Sequence, residues 1–586
     1  MATTTADAAD YATFASLTAL SLGTGLYLSL RRQARFMSKE EVFLGSRTIH
    51  AIPLALSMVA SSVTAVGLVG FVAYYYVHGF HTLWVIAAFV PGSLVVTYLF
   101  LPVLYQLKVT SIFEYLRMRY GNSVGIVSSL TYFVLSQTTG AAGIFSAAAA
   151  ISTVFEVSLH ASSVVIGVAG TAYTALGGLR SVVWADSIQA LIMAASPILI
   201  TTKIVYDSAH SPVPLRPLAD VNVTAYILRT DLDITTDETV WAASLAAFPF
   251  HLMRLGLDQM ITQRFLAARS LRDARVVAFA GVGLLSFFYI LHGLTALAMV
   301  YWFRDCDPVL SGSITRYDQI VPYYVKSSAR AINGVRGLFL AGIASASIST
   351  VSSVVNSNAA VLFVDIVSPN FHVPQAKTAL VMAGLAAASG TVMTIVGLLV
   401  PYIGSAARFF ITLSAAASGP FAGIVILAFL FPWANTKGTA TAALGMFLIQ
   451  TWQTTGRFMA RIEPLRMTYG TDRCPGNSTY HDVPQHEDRP YSDIFPLYRL
   501  SAYWCCLFST ILTVLLGLTF SILSARPDDG LQNALRLSSP LALKFWQRIG
   551  LLRQRQKEPE HGAVNERGDR ISSYEIRPLQ DKQDET

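Results

Sequence analysis

Ionisable side chains are scarce: Asp, Glu, Lys and Arg make up 13% of the 586 residues, against 53% hydrophobic. A soluble domain carries about twice that share of charge, so a water-soluble globular chain is excluded. Mean hydropathy is +0.50, and the apolar residues come in runs of about twenty, the length that crosses a bilayer as a helix. Cysteine is scarce too. Cys505 and Cys506 lie inside an apolar run, Cys306 and Cys474 lie in polar segments, and no CxxC pair or Cys/His cluster has metal-ligand spacing. No nucleophile–base pair stands out, which leaves an enzyme the least supported class. No basic residue precedes the first apolar run, Tyr11 to Leu30, whereas Arg31, Arg32 and Arg35 follow it. That order is the reverse of a signal peptide and suits a span with its N-terminus outside. The net charge of +7 sits in loops and tail and reports orientation, not nucleic acid.

What is present is a succession of spans. After Tyr11–Leu30 come Ile52–His78, Leu83–Tyr105, Val124–Glu156, Ala161–Leu176, Asp186 to about Val205, Trp241–Met253, Val276–Trp302, Leu338–Val367, Ala379–Val400, Phe409–Phe431, Thr439–Trp452 and Ala502–Leu523, about thirteen in all. Thirteen crossings from an outside N-terminus put the basic tail inside, and the sequons at Asn222 and Asn477 outside together with Cys306 and Cys474. Arg254 to Arg275 reads as a basic cytoplasmic segment. Beyond Leu523 the chain has a basic amphipathic stretch, LALKFWQRIGLLRQRQK, and then a charged tail of disordered composition.

Two spans carry polar groups that lipid cannot satisfy. In Leu338–Val367, Ser345, Ser349, Ser352 and Asn356 fall at i, i+4, i+7 and i+11, one stripe of a helix, and Thr350 and Ser353 widen it. Small hydroxyl residues let membrane helices pack closely; hydroxyls and unwound carbonyls near the midplane also ligate hard cations. The second span, Ile52–His78, has Ser61, Ser62 and Thr64 beside Gly67 and Gly70 at its centre, the composition of a broken helix. Gly177 and Gly178 break the chain again before Asp186, a carboxylate placed either to cap the next helix or to hold a cation. His292, alone in an apolar span, reads as a buried histidine with its hydrogen bonds satisfied.

Six segments, FLGSRTIHAIPLALSMVASSVTAVGLVG, GGLRSVVWADSIQALIM, DQMITQRFLAARS, CDPVLSG, SISTVSSVVNS and GPFAGIVILAFLFPWANTKG, follow one another in an order that resembles the sodium/solute symporter family. Of its branches, the resemblance is nearest to that of the monocarboxylate, multivitamin and iodide cotransporters. The likeness implies an all-α polytopic protein of LeuT type, two inverted five-helix repeats with one helix before and two after. Residues 1–51 would hold the first helix and its basic loop, 52–205 repeat one, 206–240 an extracellular loop, 241–432 repeat two, 433–525 the last two helices, and 526–586 a cytoplasmic tail, mostly disordered. Carried over residue by residue, the family's main sodium site falls on the carbonyls of Ala60, Val63 and Ala346 and the hydroxyls of Ser349 and Thr350. A second site would use Ser61, Asp186 and Ser353 with Thr350, or Asp186 would be a stop on the ion's exit route. In this light the serine stripe reads as an ion site, with Ser352 and Asn356 left to packing.

The spans Leu83–Tyr105 and Val276–Trp302 hold no Asp, Glu, Lys or Arg, unlike the sugar branch, so a sugar site is disfavoured. The resemblance implies a sodium-coupled symporter of a small organic anion, a monocarboxylate or carboxylate vitamin, in the plasma membrane, with Na+ as coupling ion and no organic cofactor. Iodide, sugar or choline transport, or a ligand-gated sensor or channel on the same fold, are the alternatives. By position the substrate pocket would be lined by Thr64, Gly67, Phe71, His81, Phe248 and Phe410, and Cys306 would pair with Cys474. The functional unit would be a monomer.

Overall fold

The computed structural model describes residues 2–31, 38–211, 215, 217, 223–329, 332–402, 406–460, 462, 464, 466–472, 474, 494–524, 530–555 and 573–576; the side chains of 2–6, 375–376, 406–413, 415, 553–555 and 573–576 are not described. Asn222 and Asn477, and the side chain of Phe410, therefore lie outside the described residues.

Helices pack on helices throughout, as an apolar chain requires when every backbone polar group must be satisfied within its own segment. Eight described helices are long and apolar enough to span a bilayer, or nine when Ala51–Ser62 and Val66–His78, bent by 60° at their junction, count as one. Length and apolarity alone do not reach the thirteen expected crossings. Leu159–Ala209 is continuous in hydrogen bonding over 51 residues but turns at Gly178 (φ 63°, ψ −170°), and Ala242–Leu257 is short. A Cβ at Gly178 would lie 2.7 Å from the Val42 carbonyl oxygen, so both the dihedral and the close approach demand glycine there.

The serine-rich helix, Val335–Val361, is the hub. It packs against Leu159–Ala209, Asn122–Phe155, Gln375–Leu399 and the N-terminal helix Ala2–Arg31. Of an 18-residue apolar stretch within Val335–Asn370, 94% is buried, against 17% for the like stretch of Asp7–Arg31, which lies at the periphery. Even so the N-terminal helix is tied to the hub: Arg336 pairs with Asp7 and, at 2.6 Å, with Asp10.

Two expectations change. The segment from Arg254, expected as a basic cytoplasmic segment, is helical and buried where an exposed stretch was expected. Ala242–Leu257 reaches into it, and Gln259–Leu266 is a helix whose eight residues are all buried. The positive charge of Arg264 suggested an exterior loop because charge rarely enters a membrane protein unpaired; here it is paired. Part of the tail also folds. Leu531–Leu537 and Pro540–Arg548 are helices, Leu552–Arg555 pairs antiparallel with Ser573–Ile576, and Trp546 donates to the Leu430 carbonyl at 2.6 Å.

Outside the bundle, Cys306 and Cys474 form a disulfide with a Cα–Cα distance of 4.9 Å. Near it Asp307 accepts from the Tyr76 hydroxyl at 2.9 Å and from the Val309 and Leu310 amides. Burial pushes this carboxyl above the usual range, and those hydrogen bonds oppose the shift.

Candidate functional site

Ala51–Ser62 ends because Val63 takes an extended conformation (φ −88°, ψ 96°), and helical structure resumes at Val66. The last carbonyls of the first half therefore have no helical donor ahead of them. One of them, Ala60 O, accepts from Ser349 Oγ at 2.7 Å across the helix interface. Ser349 Oγ also lies 3.2 Å from Ala346 O, and Thr350 Oγ1 lies 2.8 Å from the same carbonyl. Four of the five expected sodium ligands, Ala60, Ala346, Ser349 and Thr350, are thus joined by contacts of 3.2 Å or less, and the fifth, Val63, is the breaking residue itself. All five are buried. Carbonyl and hydroxyl oxygens without a neighbouring carboxylate form a hard donor set suited to an ion of single charge. Ser352 and Asn356 take the structural parts expected of them: Ser352 donates to the Ser349 carbonyl and Asn356 to Gln263.

Ser61, Asp186 and Ser353 also meet. Ser61 Oγ and Ser353 Oγ are 2.7 Å apart, and Asp186 Oδ2 is 3.3 Å from Ser61 Oγ and 3.5 Å from Ser353 Oγ. At the centre of this group is the guanidinium of Arg264. Its Nη2 donates to Ser61 Oγ at 2.6 Å, Ser353 Oγ at 2.6 Å and Asp186 Oδ2 at 2.9 Å, and its Nε donates to Ser57 Oγ at 2.7 Å. Asp186 does not cap a helix. It lies two turns beyond the Gly178 break, and its Oδ1 has no hydrogen-bond partner among the described residues. Sequence reading missed Arg264 and Ser57. Ser57 lies one turn before Ser61 on the same helix face, a periodicity that could have found it.

Beside the helix break is a cavity. Thr64, Gly67 and Phe71 line it as expected, together with His251, Arg254, Tyr289 and His292. His81 and Phe248 are not on its wall: His81 is buried elsewhere, and Phe248 packs towards Gly92. His292 is buried but not satisfied, for its Nε2 has no partner among the described residues, and the same holds for His251 Nε2.

Comparison with known proteins agrees with this architecture. The model of the "Sodium:solute symporter family" matches residues 42–447. The chain is 28% identical over 491 residues to the sodium-coupled monocarboxylate transporter 2 of Mus musculus, covering 83% of this chain and 79% of the relative. It is 29% identical over 452 residues to the sodium/iodide cotransporter of Homo sapiens, covering 76% and 70%. A solved structure of a Na+-coupled sialic acid symporter, outward-open with substrate bound, superposes with a TM-score of 0.70 at 17% identity, covering 89% of this chain and 99% of that one. That superposition assigns the LeuT-type fold. The chain belongs to the sodium:solute symporter family, as a multi-pass membrane transporter and not an enzyme.

Proposed function

We propose that this chain is a sodium-coupled symporter of a small organic anion, a monocarboxylate or carboxylate vitamin, working by alternating access between repeats 52–205 and 241–432. The observation that carries the proposal is the contact of Ala60 O with Ser349 Oγ, which puts the oxygen cluster on the seam between the broken helix and the serine helix. A sodium ion among Ala60, Val63, Ala346, Ser349 and Thr350 joins the two helices and favours the conformation in which the adjoining cavity is complete. Substrate and ion are then reciprocally coupled. Support for an anion comes from the cavity, whose described walls carry no carboxylate, and from the two relatives, one named for monocarboxylates and one for iodide.

We assign one coupling sodium. The second cation position is already held by the charge of Arg264, and Asp186, whose Oδ1 has no hydrogen-bond partner among the described residues, serves as a stop on the ion's exit route. The proposed setting is the plasma membrane, and the distribution of basic residues supports an orientation with the N-terminus outside and the tail within.

The test is uptake by cells expressing the full chain, with labelled lactate, butyrate, nicotinate, biotin, pantothenate, iodide and glucose, each in sodium and in choline medium. Sodium-dependent accumulation of a carboxylate is the expected result. Uptake indifferent to sodium, or sodium currents without accumulation, overturns symport in favour of a channel or sensor; accumulation of iodide alone moves the substrate to a halide.

A further inference from the structure

The tail helix Pro540–Arg548 has two unlike faces. On one, Ala542 is buried, and Trp546 donates to the Leu430 carbonyl and packs on Phe431 and Trp433. On the other, Leu541, Phe545 and Ile549 recur every four residues, one stripe of a helix, and remain 48%, 55% and 51% exposed. Lys544 and Arg548 flank that stripe and are exposed as well. From Gly530 to Lys557 the sequence has six basic residues and no acidic one. Exposed apolar side chains on a span are covered by lipid. These three belong to no span, since the last of the described spans ends at Leu523, so a contiguous apolar stripe beside basic residues marks an interaction surface.

The neighbours of the helix give its level. It packs against the end of Ala406–Leu430 and against Val96–Phe100, a turn of the span His81–Leu107. At about 1.5 Å per residue, that turn begins roughly 10 Å inside the span's end at Leu107. Beside it, Arg275 lies over the Tyr98 ring with Cζ 5.3 Å from the centroid. A guanidinium at the flank of a span belongs at the headgroup edge, its stem along apolar surface and its charge in the polar layer. Trp433 and Trp546, with ring centroids 4.8 Å apart, are indoles of the kind enriched at that boundary.

We infer that the free face of Pro540–Arg548 is a docking surface for an anionic lipid leaflet. Leu541, Phe545 and Ile549 enter the boundary between acyl chains and headgroups, and Lys544 and Arg548 pair with the negative headgroups above them. A basic amphipathic helix lies in the plane of the interface in this way. Under the orientation proposed above, the face meets the cytoplasmic leaflet, the one that carries anionic lipid. Each basic residue held near such a surface favours docking about fivefold, so the two together favour it ~30-fold. A protein that encloses a basic helix in a groove would have to draw Trp546 off the bundle, whereas a lipid surface takes only the face that is free. The inference concerns the tail alone and stands apart from the substrate and from sodium coupling.

The test places the full chain in nanodiscs of phosphatidylcholine alone, or of phosphatidylcholine and phosphatidylserine in equal parts, with some acyl chains carrying a nitroxide. A fluorophore is attached through Phe545→Cys on the free face, or through Gln547→Cys on the opposite side of the helix. The unsubstituted chain, whose free Cys505 and Cys506 are buried, gives the labelling blank. The nitroxide is expected to quench the reporter at 545 and to spare the one at 547, and phosphatidylserine should strengthen the quenching at 545. Lys544→Gln with Arg548→Gln should abolish that gain, weakening docking by up to ~30-fold, with the melting temperature unchanged because both side chains are exposed. Raised salt should do the same to the unsubstituted pair. Equal quenching at 545 and 547, quenching at 545 indifferent to phosphatidylserine, or a gain that persists in the double variant would each overturn the inference. A reporter at 545 shielded from water yet untouched by the nitroxide would overturn it too, because a protein, a second copy of this chain included, would then cover the face. Nanodiscs offer both membrane surfaces and no gradient, so a chain of the opposite orientation, or one that transports nothing, still gives the expected result if the docking is real.

Discussion

Ser349 reaches the Ala60 carbonyl of another helix, whereas Thr350 and Ser352 each donate to a carbonyl of their own. On the proposed sodium site, Ser349→Ala with Thr350→Ala deletes two hydroxyls from the ion's shell. Hydrogen-bonding groups facing a charge contribute about 1.5–3 kcal/mol each, so the half-saturating sodium concentration for uptake should rise by at least ~10-fold. An unchanged sodium dependence would remove the site from these residues. The Asp186–Arg264 pair is a residue-scale matter of another kind. Both side chains are fully buried, and removing one partner of a buried pair strands the other at a cost of ~3–5 kcal/mol. Asp186→Asn and Arg264→Gln should therefore each lower the melting temperature sharply, while the double variant should lose much less than their sum. Strict additivity in that cycle would mean that the pair does not act as a unit. The serine stripe was legible because the types and spacing of its hydroxyls lie in sequence, and the sodium ligands proposed on it came from the family likeness. Arg264 was not, because whether a basic residue faces water or a buried carboxylate is a tertiary fact.

At the scale of elements, the Gly178 break converts one hydrogen-bonded helix into two directions. Gly178→Ala would place a methyl group against the Val42 carbonyl in a backbone region that only glycine occupies cheaply, at ~1–3 kcal/mol before the clash is counted. The variant should melt at lower temperature than wild type or Gly384→Ala, where an added Cβ meets nothing within 4 Å; a wild-type melting curve would show that the turn tolerates a side chain. Runs of apolar residues located the long elements well, from Leu83–Tyr105 to Ala502–Leu523. They failed where periodicity and length part company. Gln259–Leu266 is too short and too polar to read as membrane-embedded, yet every residue of it is buried, because protein and not lipid surrounds it. Composition marked the amphipathic stretch that forms Pro540–Arg548 but not its packing, in which the Trp546 ring lies on Phe431 and Trp433.

For the whole molecule, the proposed symport of one sodium with one monovalent anion moves no net charge. The membrane potential, about 2.3 kcal/mol per unit charge at 100 mV, then drops out of the driving force. Uptake into vesicles should follow the sodium gradient and be indifferent to a potassium diffusion potential of either sign; stimulation by an inside-negative potential would require a second ion. The Cys306–Cys474 disulfide closes a separation of 168 residues, and a closed loop of that size typically stabilises by ~2–4 kcal/mol. Cys306→Ser with Cys474→Ser should lower thermal stability accordingly, and an equal melting temperature would show the bond to be incidental. The clasp between the N-terminal helix and the hub has a practical consequence. Asp7 and Asp10 grip Arg336, and Gly337 is pressed so closely on the Asp10 carbonyl that no side chain would fit between them. A purification handle or fluorescent partner fused at residue 1 would pull on the same rod that carries Ser349 and Thr350, so the far end of the chain, past Ile576, is where such cargo should be attached.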